Sequence, residues 1–219
     1  MLNFADAFAG MPLIAIVRGV RPDEVVDVAA ALYDAGIRIV EVPLNSPDPF
    51  VSIERLGAMT GRMVCGAGTV LNTEQVDSAV AAGSTIIVAP NTDPSVIRKS
   101  LVRGAIPVPG IATATDAFSA LAAGARWLKL FPAATYGPEH LKALAAVLPA
   151  EARVIPVGGV SAANMKQWWL SGAAGFGLGS DLFKPGMTPH QVRERAREAV
   201  DVMSALRLTL TTGSFTPNR

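Results

Sequence analysis

Short apolar runs rich in valine and isoleucine alternate along the chain with longer segments of helical periodicity. The runs predict eight β-strands, at residues 13–17, 38–42, 63–66, 85–88, 106–108, 126–130, 153–157 and 175–178. Helix start and stop signals lie between them. Continuous apolar strands joined by helices are typical of a parallel sheet that is buried on both faces.

Glycines end most of the predicted helices just before the next strand, and they are Gly36, Gly61, Gly83, Gly104, Gly124 and Gly172. Their spacing is about the length of one strand–helix unit. Since a (β/α)8 barrel needs roughly 200 residues or more, eight units in 219 residues predict a single α/β domain of this kind, a TIM barrel, over residues 1–208. We expect an additional N-terminal helix at residues 2–9 to close the barrel floor, and residues 209–219 to form a polar tail. An open doubly wound sheet is the alternative, but the first unit lacks the Gly-x-Gly-x-x-Gly pattern of a dinucleotide fold.

The composition argues against several classes of function. The 19 basic and 18 acidic residues give a net charge of +1, so no basic field is available to attract nucleic acid. No run of about 20 apolar residues predicts a membrane span, and the first residues lack the basic start of a secretory signal. We therefore expect a cytoplasmic protein. Cys65, His140 and His190 are the only cysteine and histidines, so we expect no disulfide within the chain and no zinc site.

Two ionisable residues interrupt apolar strands. Lys129 lies between Leu128 and Leu130, and strand alternation places it on the face of Trp127 and Phe131. Desolvation there would lower its pKa and free a neutral amine to form a Schiff base. The structural alternative is a lysine whose stem packs on the sheet while its ammonium group reaches water.

Glu41 occupies the corresponding position of the second strand, on the face of Ile39. A buried carboxyl group of this kind can move protons beside an iminium carbon. The alternative is an ion pair with Arg18 or Lys129 that serves structure alone.

Polar groups at other strand ends complete a candidate site at the mouth of the barrel. Gly158-Gly159 and Gly179-Ser180 follow the last two strands, where many barrels bind phosphate through backbone amides. Arg18 and Thr69, at two other strand ends, suit the carboxylate of a keto acid. Turn geometry would also explain the glycines, and a surface role and a helix cap would explain Arg18 and Thr69.

Five segments together resemble the class I aldolases that cleave 2-keto-3-deoxy-6-phospho sugar acids. The segments are Val40-Glu41-Val42-Pro43-Leu44-Asn45-Ser46-Pro47, Gly66-Ala67-Gly68-Thr69-Val70, Leu128-Lys129-Leu130-Phe131-Pro132, Val157-Gly158-Gly159-Val160 and Gly177-Leu178-Gly179-Ser180. The resemblance implies a (β/α)8 barrel, usually a homotrimer, that uses no metal and no cofactor.

The same resemblance implies a role for each matching residue. Lys129 resembles the Schiff-base lysine, and Glu41 resembles the general acid/base. Arg18 and Thr69 resemble the residues that hold the carboxylate of the pyruvate half, while Gly158, Gly159, Gly179 and Ser180 resemble those that hold the phosphate. Pro90 and Phe131 are further candidate substrate-binding residues.

Two positions depart from the gluconate-type members, which have an arginine at the place of Asn45 and a threonine at that of Val157. Both match the group that acts on 2-dehydro-3-deoxy-6-phosphogalactonate. An apolar Val157 cannot bond a substrate hydroxyl, so a different epimer preference is physically reasonable. The resemblance thus implies cleavage of that galactonate derivative to pyruvate and glyceraldehyde 3-phosphate. A gluconate-type or dual-specificity aldolase, a phosphate-binding isomerase or synthase, and a non-catalytic sugar-phosphate-binding barrel remain as alternatives.

Overall fold

The computed structural model describes the backbone of residues 2–212 and the side chains of residues 2–209. Its strands are β1 (Leu13–Ile16), β2 (Ile39–Pro43), β3 (Val64–Gly68), β4 (Ile86–Val88), β5 (Ile106–Val108), β6 (Gly110–Ile111), β7 (Trp127–Leu130), β8 (Arg153–Pro156) and β9 (Phe176–Leu178). Its α-helices are α1 (Phe4–Gly10), α2 (Val25–Ala35), α3 (Pro49–Arg55), α4 (Thr73–Ala81), α5 (Pro94–Val102), α6 (Ala114–Ala122), α7 (Ala133–Ala145), α8 (Met165–Leu170) and α9 (Pro189–Thr212).

The strands form a curled parallel sheet, hydrogen-bonded as a six-stranded part in the order β5-β4-β3-β2-β1-β9 and a three-stranded part in the order β6-β7-β8. Between β8 and β9, a bridge joins Val157 to Gly177, and the Ala174 amide donates to the Val154 carbonyl at 2.8 Å. Strand order therefore follows chain order around the curl, which gathers the carboxyl ends of the strands along one edge.

Most predicted strands coincide with observed ones within one or two residues at each end. The fifth is an exception because it continues beyond Pro109 as a second short strand, β6. Proline has no N–H to donate to a ladder, so β5 pairs with β4 before it and β6 pairs with β7 after it. The helix-ending glycines are confirmed: Gly36 closes α2 with φ +113°, and the five others predicted also have positive φ.

Strand alternation divides the apolar side chains into two layers. The outer layer packs beneath the helices and includes Val40 and Val42 of β2. The inner layer includes Ile39 of the same strand, with isoleucines and valines from β1, β3, β4, β5 and β8. Glu41 has the parity of Ile39, and Lys129 has the parity of inner-layer Trp127. Both ionisable residues therefore belong to the apolar interior of the sheet.

Helix α1 covers the amino-terminal end of this interior. Asn3, the residue before the helix, is its N-cap: its side chain accepts from the Asp6 amide at 2.9 Å. The rings of Phe4 and Phe8 meet the indole of Trp127 with centroids 4.9 and 4.7 Å apart. All three rings belong to the same apolar cluster. These three aromatic rings are called the floor cluster below.

The last helix reaches Thr212, into the segment predicted as a polar tail from residue 209. That prediction is therefore wrong for residues 209–212, because the helix continues through them, and residues 213–219 lie outside the described part. Within residues 2–212, no helix is both long and apolar enough to cross a membrane.

The floor cluster generates a stability prediction. Replacing Phe8, which is 5% exposed, with alanine should lower the free energy of unfolding by about 3–5 kcal/mol, since the substitution removes a ring packed on Trp127. Urea unfolding followed by circular dichroism measures the change. Phe118→Ala, at a position that is 47% exposed, is the matched control and should cost much less. Equal losses for the two variants would contradict the packing role of Phe8.

Candidate active site

A cavity of about 520 Å³ opens at the carboxyl ends of the strands. It is lined by these residues named from the sequence: Arg18, Lys129, Phe131, Val157, Gly158, Gly159, Gly179 and Ser180. The structure thus brings together side chains and loops that are distant in the sequence. Glu41, Asn45 and Thr69 are not among the lining residues, and their contacts are described below. Pro90 lies beside β6, where a Cβ on Gly110 would overlap its backbone.

Lys129 lies in the interior because every other residue of β7 points inward. Its side chain is 3% exposed, and its Nζ lies 4.8 Å from the centroid of the Phe131 ring. Burial lowers its pKa; the nearby Glu41 carboxylate opposes the shift and the Arg18 guanidinium adds to it. A larger share of the amine is therefore neutral and nucleophilic than for a lysine in water.

Glu41 is buried as deeply, with 1% of its surface exposed. Burial raises its pKa to about 7, against the opposing effect of Lys129 and Arg18. A carboxyl group with this pKa can both accept and donate a proton near neutral pH. Among the described residues its Oε2 atom has no hydrogen-bond partner, so this oxygen is not committed to holding the fold together.

The two buried groups are not locked together. No ion pair within 4.0 Å joins Glu41 to Lys129 or Arg18 among the described residues. The structural alternative of a tight ion pair therefore finds no support. Lys129, which lines the cavity, therefore remains available to a molecule that enters it.

Gly68 makes room for the Glu41 carboxylate. A Cβ added to this glycine would overlap the carboxylate group of Glu41. Gly68 pairs with Pro43 across β2 and β3, so the backbone of β3 forms the surface on which the acid rests. Sequence reasoning missed this residue, although its position just before Thr69 at a strand end was a usable signal.

Three loops meet at the Arg18 side chain. Its Nη1 donates to the Asn45 side-chain oxygen at 2.5 Å and to the Thr69 hydroxyl at 3.5 Å. Thr69 has φ +57°, a left-handed conformation that is strained for a β-branched residue and is found mostly at functional sites. The strand ends thus hold a cation and a hydroxyl side by side.

The glycine loops form another wall of the cavity. Gly158 and Gly159 have φ of +91° and +79°, a backbone conformation that only glycine adopts readily. In the part of the chain that is described, the amides of Gly158, Gly159, Gly179 and Ser180 donate none of the recorded backbone hydrogen bonds. Unpaired amides around a cavity are suited to an anion.

Sequence reasoning missed four more polar residues of this wall. They are Ser161, Asp181, Lys184 and Arg195, which line the same cavity, and Arg195 is oriented by donating to the Asp181 carbonyl at 3.0 Å. Lys184 closely follows Gly179-Ser180, a proximity that could have marked it. Arg195 lies within the second turn of α9 and carries no such signal.

A buried lysine whose pKa is lowered, beside a buried carboxyl group whose pKa is raised, suits the class I, Schiff-base type of aldolase. The family model "Aldolase: KDPG and KHG aldolase" matches residues 6–211. This chain belongs to that family.

Individual relatives agree with this assignment. The chain is 47% identical over 187 residues to 2-dehydro-3-deoxy-6-phosphogalactonate aldolase of Escherichia coli strain K12, covering 85% of this chain and 91% of the relative. A solved structure described as native KDPGal has a TM-score of 0.89 at 45% identity, over 90% of this chain and 97% of the other. KDPG aldolase of Legionella pneumophila, solved with pyruvate as a covalent carbinolamine intermediate, has a TM-score of 0.78 at 26% identity, over 94% and 98%.

The contact between Gly68 and the acid generates a prediction. Gly68→Ala should lower kcat at least about tenfold, because the added methyl group displaces the Glu41 carboxylate and each 1.36 kcal/mol of lost transition-state stabilisation costs a factor of ten. Steady-state kinetics measure the loss. Gly57→Ala is the control, since a Cβ there meets no atom within 4 Å. Unchanged kcat in the Gly68 variant would refute the steric argument.

Proposed function

We propose that this protein is a lyase that reversibly cleaves 2-dehydro-3-deoxy-6-phospho-D-galactonate to pyruvate and D-glyceraldehyde 3-phosphate, as in the catabolism of D-galactonate. The observation that carries the proposal is the burial of Lys129 and Glu41 on one interior face of the sheet, with Lys129 lining an anion-suited cavity. The E. coli relative bears the name of an aldolase for this substrate, which supports the choice of sugar acid.

In the proposed reaction, the neutral Lys129 amine attacks the C2 keto group. A carbinolamine forms and loses water to give an iminium ion, which acts as the electron sink. The Glu41 carboxylate accepts the C4 hydroxyl proton, directly or through one water, as the C3–C4 bond breaks. The bonding electrons move to the nitrogen, which gives an enamine and releases the aldehyde.

The second half of the reaction returns the enzyme to its starting state. Glu41, now a carboxylic acid, protonates C3 of the enamine and restores an iminium ion. Water adds to C2, the iminium carbon, and the collapse of the resulting carbinolamine releases pyruvate and the free Lys129 amine. One residue thus serves as base and then as acid, which a pKa of about 7 allows at neutral pH.

The two ends of the substrate have different partners in this proposal. The Arg18 guanidinium and the Thr69 hydroxyl bind the carboxylate at C1. The amides of Gly158, Gly159, Gly179 and Ser180 bind the phosphate at C6, with added positive charge from the side chains of Lys184 and Arg195.

Residues between the two ends would determine the preferred epimer. Val157 is 6% exposed and lines the cavity, so it offers an apolar surface where a hydroxyl side chain would offer a hydrogen bond. Phe131 and Pro90 complete the proposed pocket. Specificity constants measured side by side for the galactonate-type and gluconate-type substrates decide the preference.

We also infer that the curled sheet closes into one (β/α)8 barrel over residues 1–208, with α1 across its floor. Support comes from the direct continuation of β5 into β6 and from the bridge between Val157 and Gly177. The homotrimer implied by the resemblance and the cytoplasmic location expected from the sequence belong to the same proposal.

The Schiff base provides the first test. Borohydride reduction in the presence of pyruvate should add a stable adduct to Lys129, located by mass spectrometry of peptides. Lys129→Ala should abolish the adduct and lower kcat by roughly 10³-fold or more, as for removal of a nucleophile. Lys166→Ala, which changes an exposed lysine of α8, is the control and should keep both properties. Retained activity in Lys129→Arg would favour a barrel enzyme that uses no covalent lysine.

The pKa of Glu41 provides the second test. Because burial raises this pKa to about 7 and the ionised form is the base, kcat/KM for cleavage should rise with pH and level off above about pH 7. Below that value it should fall about tenfold per pH unit. Glu41→Gln should lower kcat and remove this dependence, while Lys129 should still be trapped by pyruvate and borohydride. The same pH dependence in the Gln variant would assign the titration to another group.

A further inference from the structure

We propose that Asn45 is a positioning residue for Arg18: its amide oxygen holds the guanidinium group over the mouth of the cavity, in the orientation that binds the substrate carboxylate. The proposal rests on the function proposed above and adds a residue that acts through another one. It predicts that Asn45 matters for substrate affinity only while Arg18 is present.

The first observation is the way the donors of Arg18 are used. Nη1 carries two hydrogens, and its two recorded partners are the Asn45 oxygen at 2.5 Å and the Thr69 hydroxyl at 3.5 Å. The hydrogen bonds of the described residues place no partner on Nε or Nη2 of Arg18. The Nε–Nη2 edge is therefore left free, and two parallel N–H groups of this kind match the two oxygens of a carboxylate.

The second observation is a parallel link between the same two loops. The amide of Gly19, the residue after Arg18, donates to the hydroxyl of Ser46, the residue after Asn45, at 2.9 Å. Ser46 is buried, so this bond fixes the loop backbone while the Asn45 bond fixes the side chain. Arg18 and Gly19, after β1, thus donate hydrogen bonds to Asn45 and Ser46, after β2.

The chemistry of an amide explains why asparagine suits this role. Arg18 is exposed, and a long exposed side chain samples many rotamers unless a partner holds it. Among the described residues no carboxylate forms an ion pair with Arg18. A neutral amide oxygen restrains the guanidinium group without cancelling its charge, whereas an aspartate would compete with the incoming carboxylate.

A double-mutant cycle tests the proposal. The measured quantity is the pyruvate concentration that gives half-maximal borohydride trapping of Lys129. We expect Asn45→Ala to raise this concentration about tenfold when Arg18 is present and by less than about twofold in the Arg18→Ala background. In steady-state assays of the same variant, KM for pyruvate should rise while kcat changes by less than about threefold.

Two results would overturn the proposal. An equal effect of Asn45→Ala in both backgrounds would mean that Asn45 acts on the substrate by itself. No effect in the background that retains Arg18 would mean that the hydrogen bond does not position the guanidinium group. Asn91→Ala, at an exposed asparagine after β4, is the matched control and should leave trapping unchanged.

A crystal structure of the Asn45→Ala variant gives a readout that needs no turnover. We expect the Arg18 side chain to leave Thr69 in that structure, and an unmoved side chain would contradict the proposal. If the natural enzyme traps pyruvate but cleaves neither phosphorylated sugar acid, the proposed function fails while the trapping cycle still decides the role of Asn45. Thermal unfolding of each variant identifies any loss of fold.

Discussion

The site depends on one physical constraint: a lysine and a glutamate are both removed from water without being paired with each other. A buried ion pair would satisfy both charges, but it would hold both groups in their charged forms. Separate burial instead favours the neutral form of each, which shifts the pKa of Lys129 down and that of Glu41 up. In the proposed reaction these side chains act as nucleophile and proton carrier, although both would be fully charged in water near neutral pH.

Strand alternation and one glycine keep Lys129 and Glu41 in this arrangement. Parallel strands place every second side chain inside, so a single ionisable residue in an apolar strand is forced into the interior by its neighbours. The absence of a side chain at Gly68 then leaves space for the Glu41 carboxylate. The groups proposed to bind the charged ends of a substrate lie instead on loops, where Arg18 donates hydrogen bonds to Asn45 and Thr69. In this proposal, strands supply the reactive groups and loops supply the anion-binding ones.

The fold and much of the site could be predicted from the sequence because each depends on short-range patterns. Strand ends, helix-ending glycines and the inward parity of Lys129 and Glu41 follow from periodicity and from glycine conformation. Other features depend on contacts between distant segments. Pro109 marks where the fifth strand is interrupted, but which neighbour each half pairs with depends on contacts between distant segments. The placement of Arg195 at the cavity reflects how α9 packs, and no local signal marks it.

The hydrogen bond between Arg18 and Asn45 was also beyond sequence reasoning, although both residues were named as candidates. The number of residues between Arg18 and Asn45 does not predict the distance between their side chains. The pairing of β1 with β2 brings their loops together. The strained backbone of Thr69 belongs to the same category, since threonine carries no preference for a left-handed conformation.

The floor cluster also affects the end of the sheet from which solvent can reach the buried amine of Lys129. With Phe4, Phe8 and Trp127 packed against one another beneath the sheet, exchange between bulk solvent and the buried amine is directed to the opposite end, where the cavity opens. A ligand bound in the cavity would block this exchange. The amount of water around Lys129 and Glu41 would then depend on whether a ligand occupies the cavity, and it would be lowest while the ligand is bound.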